Sequence, residues 1–368
     1  MHIPWCTRKC PYCDFNSHTA PDELPESDYL HQLLLDLEQD LQISGKRPIE
    51  TIFIGGGTPS LVSPHMLAML IDGIAARAEL SDTLEVTMEA NPGSADYAKF
   101  RDFRSAGVNR LSIGVQSFSD QRLALLGRIH DADNAVIAIK AAQHAGFERL
   151  NIDLMHGLPG QTTARALDDL ARALEFDTGH ISWYQLTIEP NTAFYSNPPV
   201  IPIDDVLSDI LDAGLELLDK KGYQQYEVSA FARESHRCRH NINYWQFGDY
   251  IGIGAGAHGK ITQSTGRVLR SKKTRIPRDY LSTDARHLRF SETVEKKELP
   301  LEFMMNALRL RDGVDAALFK QRTGLPLSSI GSQLSTAIEE GLLVNDSNRL
   351  QTTDMGYRFL DSVLARFS

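Results

Sequence analysis

The stretch Glu50-Thr51-Ile52-Phe53-Ile54-Gly55-Gly56-Gly57-Thr58-Pro59 predicts a buried β-strand that ends in a glycine turn. Its β-branched and aromatic residues favour a strand, and glycine and proline mark its end. A helix predicted at 63–79 follows directly. Strands that alternate with helices along a chain are typical of parallel βαβ units with right-handed crossovers. The stretch therefore predicts an α/β fold.

The same alternation continues downstream. The predicted strands are 50–54, 84–89, 110–115, 148–155 and 181–187. The predicted helices are 29–43, 63–79, 94–105, 162–175 and 204–221, with further helix within 119–145. Each strand ends in a polar or glycine-rich segment, and parallel barrels gather their functional groups at that end of the sheet. These strand ends predict the mouth of a TIM-like barrel.

The pattern changes in the last part of the chain. Helices are predicted at 296–310, 315–322, 328–340 and 354–366, with a hairpin within 342–351. This arrangement resembles a winged-helix module, which often binds DNA. Glu339 and Glu340 end the would-be recognition helix and the net charge is −10, so we expect no nucleic-acid partner. We predict a barrel over 1–222, an extension over 223–289 and a winged-helix-like domain over 290–368.

Composition and cysteine usage indicate the compartment in which we expect the protein. Of its 368 residues 42% are hydrophobic, which suffices for a sizeable core. No stretch approaches the roughly 18 consecutive apolar residues of a membrane span, so we expect no integral membrane segment. Only four cysteines occur, and three of them lie close together, which does not resemble a secreted disulfide framework. We therefore expect a reducing cytoplasm.

The clustered cysteines Cys6, Cys10 and Cys13 have the spacing C-x3-C-x2-C. Three thiolates can hold three irons of a cubane iron–sulfur cluster, which normally takes four cysteines. One iron is then open to another ligand. The alternative is a structural zinc site that adds His2 or His18, because zinc accepts thiolate and imidazole ligands.

Residues at the strand ends each have two interpretations. The glycine triplet is either a tight turn or a place where a charged ligand approaches bare backbone. Glu89 and Asp153 either cap the next helix or accept hydrogen bonds from ribose hydroxyls. Arg128, twelve residues after Gln116, is either a surface charge or the partner of a ligand carboxylate.

A second group of residues, Cys-Arg-His-Asn-Ile-Asn-Tyr-Trp, lies at 238–245 and precedes a glycine-rich segment at 252–259. A histidine beside aromatic residues is usually packed and hydrogen-bonded. Histidine is also the usual proximal ligand of haem iron, and flat aromatic rings suit a porphyrin face. The residues leave both interpretations open for His240.

These motifs resemble a known family. The cysteine run with Tyr12 before its last cysteine, and the glycine motif at 55–59, are similar to those of radical S-adenosylmethionine (radical SAM) enzymes. Further motifs resemble the HemW family of haem chaperones, relatives of oxygen-independent coproporphyrinogen III oxidase. These motifs are His2-Ile3-Pro4-Trp5-Cys6, Cys10-Pro11-Tyr12-Cys13-Asp14-Phe15-Asn16-Ser17, Met88-Glu89-Ala90-Asn91-Pro92, Ile113-Gly114-Val115-Gln116-Ser117-Phe118, Asp153-Leu154-Met155-His156-Gly157-Leu158-Pro159 and His240-Asn241-x-x-Tyr244-Trp245. The resemblance spans nearly the whole chain.

The resemblance implies a partial (βα)6 barrel and a set of ligand contacts. Cys6, Cys10 and Cys13 would hold a [4Fe–4S] cluster whose fourth iron is chelated by the amino and carboxylate groups of S-adenosylmethionine. The residues implied to line the S-adenosylmethionine site are Gly56, Gly57, Thr58, Glu89, Gln116, Arg128 and Asp153. The cofactor would supply the hard step, cleavage to a 5′-deoxyadenosyl radical.

Phe15 distinguishes between two relatives. The decarboxylase, which makes protoporphyrinogen IX, is marked by a further cysteine where this chain has Phe15. Together with the motif at 240–245, this implies a haem carrier with His240 as the haem ligand and without coproporphyrinogen oxidase activity. The decarboxylase is the alternative. The implied partners are haem and unidentified haem-acceptor proteins, and peripheral contact with membrane haem proteins stays open.

The start of the chain differs from the family pattern. Family members carry a short segment before the His-Ile-Pro motif that forms the first barrel strand, whereas this chain opens at Met1-His2. We therefore expect the first strand to be missing, with a misassigned start as the favoured explanation. The expected consequences are an exposed edge strand and a loosened cysteine loop.

Overall fold

The computed structural model describes residues 1–282 and 289–367. Its strands are β1 His2–Ile3, β2 Trp5–Cys6, β3 His18–Thr19, β4 Ile49–Gly56, β5 Leu80–Ala90, β6 Arg110–Gln116, β7 Arg149–His156, β8 Gly179–Gln185, β9 Gln224–Glu227, β10 Ala230–Ala232, β11 His258–Thr262, β12 Val268–Lys273, β13 Arg289–Thr293, β14 Val314–Asp315 and β15 Arg349–Leu350.

The α-helices lie between and after these strands. They are α1 Glu26–Ser44, α2 Pro64–Ala75, α3 Ser94–Tyr97, α4 Phe100–Ser105, α5 Asp120–Leu125, α6 Ala132–His144, α7 Thr163–Leu174, α8 Ala193–Ser196, α9 Asp204–Lys220, α10 Arg239–Trp245, α11 Pro277–Tyr280, α12 Leu299–Ala307, α13 Ala317–Thr323, α14 Gly331–Glu339, α15 Asp354–Arg358 and α16 Leu360–Leu364. Within the described residues, no helix has the length and apolar character needed to cross a membrane.

The largest sheet has the strand order β1-β4-β5-β6-β7-β8-β10-β9. The first six strands are parallel neighbours, and β10 then pairs antiparallel with both β8 and β9. This sequentially ordered parallel sheet confirms the predicted α/β fold class, and the five strands predicted from the sequence are β4 to β8. The carboxyl ends of these strands meet at one edge, where a site is expected.

The two faces of the parallel sheet differ in chemistry. Residues such as Leu111, Ile113 and Ile152 pack in the main hydrophobic core with residues of the surrounding helices. Alternating positions such as Ser112 and Asp153 hydrogen-bond across the other face. This period of two places the polar residues of neighbouring strands on one shared surface.

The prediction that the first strand is missing is wrong. β1 pairs in parallel with the end of β4, with His2 opposite Gly55 and Ile3 opposite Gly56. The amino group of Met1 also donates to the carbonyl of Phe53 at 2.6 Å. This end of β4 is therefore covered and not an exposed edge.

Several predicted helices are broken in the structure. The helix predicted at 94–105 is divided into α3 and α4, and the one predicted at 354–366 into α15 and α16. The 119–145 segment forms α5 and α6, and the connection between them carries Arg128. That interruption brings the arginine towards the strand ends.

The later part of the chain adds a small sheet that the sequence did not predict. β11, β12 and β13 form an antiparallel sheet, and α12 to α16 enclose a second hydrophobic core. The predicted hairpin forms only in part: Leu343 bridges to Thr352, while β15 pairs with β14. The three-part division of the chain stays a prediction, and its segments at 283–288 and 368 lie outside the described residues.

Candidate functional site

The three clustered cysteines lie on one loop that leaves β2 and returns in β3. Cys6 is buried, whereas Cys10 and Cys13 are half-buried. The amide of Cys13 donates to the carbonyl of Cys10 at 3.2 Å, so the last two cysteines share a turn. Burial raises the pKa of the Cys6 and Cys13 thiols. A metal centre would stabilise the thiolate forms that burial disfavours, so this donor set fits an iron–sulfur cluster.

The glycine turn after β4 lets the cysteine loop approach the sheet. A Cβ on Gly57 would lie 2.5 Å from the carbonyl oxygen of Trp5, so only glycine fits there. The next residue, Thr58, donates from its hydroxyl to the Cys6 sulfur at 3.5 Å. Gly56 has a φ of +124° and donates its amide to Glu89 at 3.1 Å. The turn therefore links the cysteines to the end of β5.

Glu89 and Asp153 lie on the polar face of the sheet and cap no helix. Asp153 accepts hydrogen bonds from Ser112 at 2.9 Å and Asn151 at 2.7 Å. Burial and then the charge of Asp153 raise the pKa of Glu89 to about 7. The helix-cap interpretation is wrong because Gly93 and Thr162 occupy the caps of the following helices. Both carboxyl groups lie at the carboxyl ends of the strands, where the sequence predicts a ligand.

Arg128 joins the strand ends to the cysteine loop and is not a surface charge. Its guanidinium donates to Asn91 at 2.6 Å and to the carbonyl of Gly114 at 2.8 Å, and lies 3.8 Å from the Cys10 sulfur. Its Nε is buried without a hydrogen-bond partner among the described residues. This unpaired donor supports the expectation that the arginine meets a ligand at this position.

Gln116 ends β6 in an unusual conformation. Its φ of +70° is rare for a residue other than glycine, and its side-chain oxygen accepts from Tyr184 at 2.7 Å. Such strain is retained where the surrounding structure fixes a side chain for use. Tyr184 itself sits near the end of β8, the neighbour of β7.

Sequence reasoning assigned no role to Asn91. Its amide donates to the Thr58 hydroxyl at 2.9 Å, and its oxygen accepts from Arg128. It therefore connects the side chains that touch Cys6 and Cys10. Its position directly after β5 was the available signal, since the other site residues also follow strands.

His240 lies on α10, away from the cysteine loop. Its ring stacks on Phe53 with centroids 4.8 Å apart, and Nδ1 is 3.3 Å from the hydroxyl of Thr51. Burial lowers its pKa to about 3, so the imidazole is neutral. Phe53 lies two residues before Gly55 on the same face of β4. The structure thus places His240 on the polar side of the sheet, nearer the amino ends of the strands.

The two aromatic residues of the same motif have separate surroundings. Tyr244 lies 5.0 Å from His240 and stacks on Tyr250 at 4.2 Å. Trp245 instead lies under the guanidinium of Arg309 at 4.2 Å and packs against the second core. The two rings therefore lie in different surroundings, and only Tyr244 is close to His240.

Two cavities lie at opposite edges of the parallel sheet. A small one of about 30 Å³ is lined by residues that include Cys10, Thr58, Asn91 and Arg128. A larger cleft of about 540 Å³ lies at the opposite edge of the sheet, where its charged lining pairs internally, as in Arg149 with Glu85. We assign the site to the smaller cavity because parallel sheets carry their chemistry at the carboxyl ends of strands.

Comparisons with known proteins agree with this geometry. The model of the radical SAM superfamily matches residues 1–173, and that of the HemN C-terminal domain matches residues 294–359. The heme chaperone HemW of Escherichia coli (strain K12) is 51% identical over 367 residues, which covers 100% of this chain and 97% of that protein. The chain belongs to the HemW family. Membership of the radical SAM superfamily implies a [4Fe–4S] cluster and S-adenosylmethionine.

Other relatives extend the HemW comparison. The heme chaperone HemW of Bacillus subtilis (strain 168) is 33% identical and covers 100% of this chain and 98% of that protein. The mitochondrial radical S-adenosyl methionine domain-containing protein 1 of Bos taurus is 35% identical, with 99% and 85% covered. The solved structure of E. coli coproporphyrinogen III oxidase (HemN) has a TM-score of 0.81 at 21% identity and covers 100% of this chain and 88% of that one. The last comparison shows the fold alone.

Proposed function

We propose that this chain is a haem chaperone that binds haem, a [4Fe–4S] cluster and S-adenosylmethionine, and passes the haem to acceptor proteins. The observation that carries the proposal is the neutral imidazole of His240, which stacks on Phe53 on the polar face of the sheet. Haem iron binds neutral imidazole. The full-length similarity to proteins described as heme chaperones supports the same function.

In this proposal the cluster is held by Cys6, Cys10 and Cys13. Once reduced by an external donor, a bound cluster would supply the electron for chemistry at the sulfonium of S-adenosylmethionine. The chain's own residues do the positioning: Thr58 touches Cys6, and Arg128 touches Cys10. These contacts fix the loop against the strand ends before any ligand binds.

The remaining site residues surround the place where S-adenosylmethionine would lie. Gly56 and Gly57 let the cysteine loop pack against the end of β4, and the ammonium and carboxylate of the ligand would lie beside this turn. Glu89 and Asp153 offer carboxylate oxygens to ribose hydroxyls. Arg128 and Gln116 add a cation and an amide at the next strand end.

We define the acceptors of the haem only by what they bind. They are proteins that take up haem, and contact with a membrane haem protein would be peripheral. Thiolate ligands suit a reducing compartment, so we place the chaperone in the cytoplasm.

Haem titration of the protein and of His240→Ala, followed optically, tests the haem site. We expect the variant to bind haem at least about tenfold more weakly, because it loses the iron ligand. His144→Ala, which removes an exposed histidine at the end of α6, is the matched control and should titrate like the parent. Equal binding by all three proteins would remove His240 from the haem site, and absence of binding in the parent would refute the chaperone function.

The fold similarity to HemN favours one second candidate, oxygen-independent coproporphyrinogen III oxidase. Phe15 argues against it, since it stands where that enzyme is marked by a cysteine and is 60% exposed. Incubation with coproporphyrinogen III, S-adenosylmethionine and a reductant should yield no protoporphyrinogen IX. Formation of that product at a useful rate would make the decarboxylase the better assignment.

A further inference from the structure

The glycine-rich segment after α10 lies directly against the cysteine loop. We call residues 252–257 the glycine platform. The amide of His2 donates to the carbonyl of Ile253 at 2.9 Å. A Cβ on Gly254 would lie 2.3 Å from the carbonyl oxygen of His2. The missing side chain of Gly254 therefore brings the two backbone segments together and does not serve to cradle a phosphate.

Asn16 makes the second connection, three residues after Cys13. Its side-chain amide donates to the carbonyl of Ala255 at 3.1 Å and to that of Arg275 at 2.8 Å. A Cβ on Gly256 would lie only 2.2 Å from the same amide nitrogen. Asn16 thus fits into a space that exists only because residue 256 is glycine.

A buried charge network supports the platform from below. Asp36 accepts from the amide of Gly254 at 3.2 Å and from the hydroxyl of Tyr280 at 2.7 Å. Lys273 pairs with Asp36 and, at 3.0 Å, with Asp40. All of these side chains are buried. Removing a partner from such a network is costly, so the platform stands on a rigid base.

Tyr29 connects this base to the start of the chain. Its hydroxyl donates to the carbonyl of His2 at 2.8 Å and accepts from the amide of Ala255 at 2.9 Å. The backbone before Cys6 and the backbone after Cys13 are therefore both fixed to the same platform.

We propose that the glycine platform and Asn16 are positioning elements that fix Cys10 and Cys13, and that they thereby set the accessibility of these thiols and the reduction potential of the cluster. The part about the cluster rests on the proposed function. The part about the thiols concerns this chain alone. A metal-free experiment can therefore separate the two.

The first test measures alkylation rates of Cys10 and Cys13 by mass spectrometry in the metal-free protein. Asn16→Ala removes the hydrogen bonds to the carbonyls of Ala255 and Arg275, and also the contacts of its side-chain oxygen with His18 and Arg275, so we expect alkylation about fivefold faster or more. Asn16→Asp keeps the shape but loses the donor, and should show the same change. Cys238, which is buried far from the loop in sequence, serves as the internal reference and should react equally slowly in every variant.

Gly256→Ala tests the space beneath Asn16. Gly222→Ala is its matched control, because Gly222 has a φ of +77°, close to the +82° of Gly256, but would meet nothing within 4 Å. We expect Cys10 and Cys13 to be alkylated faster in Gly256→Ala. Their alkylation rates in Gly222→Ala should equal those of the parent. In the double variant with Asn16→Ala, the clash is removed, so the effects should be less than additive.

After anaerobic reconstitution, the reduction potential and electron paramagnetic resonance spectrum of the cluster are compared among the same variants. Altered spectra in Asn16→Ala and Gly256→Ala, with Gly222→Ala like the parent, support the proposal. Unchanged alkylation and unchanged spectra in both platform variants would overturn it. A parent protein that takes up no iron and sulfide would refute the cluster site, while the alkylation result still decides whether the platform positions the thiols.

Discussion

The carboxyl group of Glu89 titrates near neutrality in the folded chain. Burial, together with the charge of Asp153, raises its pKa from 4.5 to about 7. A carboxyl whose folded pKa is raised contributes stability that is present below the unfolded pKa and is lost as pH rises through the folded pKa. The relevant window therefore runs from about 4.5 to about 7.

Replacing Glu89 should weaken the pH dependence of the unfolding free energy in this pH range. We expect the unfolding free energy of the ligand-free parent to fall between about pH 5 and about pH 8 more steeply than that of Glu89→Gln, because glutamine does not ionise. Urea unfolding at both pH values measures the difference. Glu175→Gln, at the exposed end of α7, should keep the parental slope. Equal slopes for Glu89→Gln and the parent would show that Glu89 ionises normally.

His240 gives an opposite pH signature. Its pKa is lowered from 6.5 to about 3 by burial, so its stability contribution is present above the unfolded pKa and lost as pH falls. The imidazole nitrogen needs no deprotonation to bind haem iron. Haem affinity should therefore stay constant from about pH 8 to about pH 5, where a histidine with an ordinary pKa would lose affinity. Optical titrations across that range would contradict this if affinity fell in step with protonation near pH 6.5.

The sequence identified most residues at the strand ends but not their connections. Glu89, Gln116 and Asp153 could be predicted because each follows an apolar run, and a parallel sheet brings such ends together. Asn91 and Tyr184 gain importance only through contacts with residues far away in the chain. Neither the periodicity of apolar residues nor a short sequence motif indicates which distant residues contact each other.

At the scale of elements, α10 connects the two cores. Glu85 on β5 accepts from the amide of His240 at 3.1 Å and from that of Arg239 at 3.3 Å, so it caps the helix from the sheet. The helix then presents His240 to Phe53 and Trp245 to Arg309. The sequence alone could not show whether His240 is packed in the interior or binds a ligand, because aromatic residues are expected beside the histidine in both cases.

Removing this cap should disturb the haem site without touching its histidine. We expect Glu85→Ala to lower the unfolding free energy by about 1–3 kcal/mol, because two partly buried amides and the guanidinium of Arg149 lose their acceptor. Haem binding should weaken as α10 shifts. Glu50→Ala, which removes only an exposed ion pair with Arg239, should cost less than about 1 kcal/mol and leave haem binding unchanged. Parental haem affinity in Glu85→Ala would show that the cap does not position His240.

At the scale of the whole molecule, alternation of strand and helix was enough to predict the parallel sheet. The strands that this alternation did not predict include the two-residue β1 and the strands β11 to β13. β1 has two residues, too few for any period, and β11 to β13 lie among glycines and charged residues that hide their alternation. Their position depends on long-range pairing, which local preference does not encode.

A buried ion pair connects Lys273 with Asp36, which are separated by 237 residues. It joins α1 to β12. Lys273→Met should destabilise the protein by about 3–5 kcal/mol, because two buried carboxyl groups, Asp36 and Asp40, lose their cation. Lys220→Met, which breaks an exposed pair with Glu216, should cost less than about 1 kcal/mol.

A second substitution separates lost charge from lost packing. Asp36→Asn in the Lys273→Met background removes one of the stranded charges, so it should recover part of the lost unfolding free energy in urea unfolding. No recovery would mean that shape and not charge dominates this region. Recovery would show that charge compensation between α1 and β12, and not shape alone, stabilises the base beneath the cysteine loop.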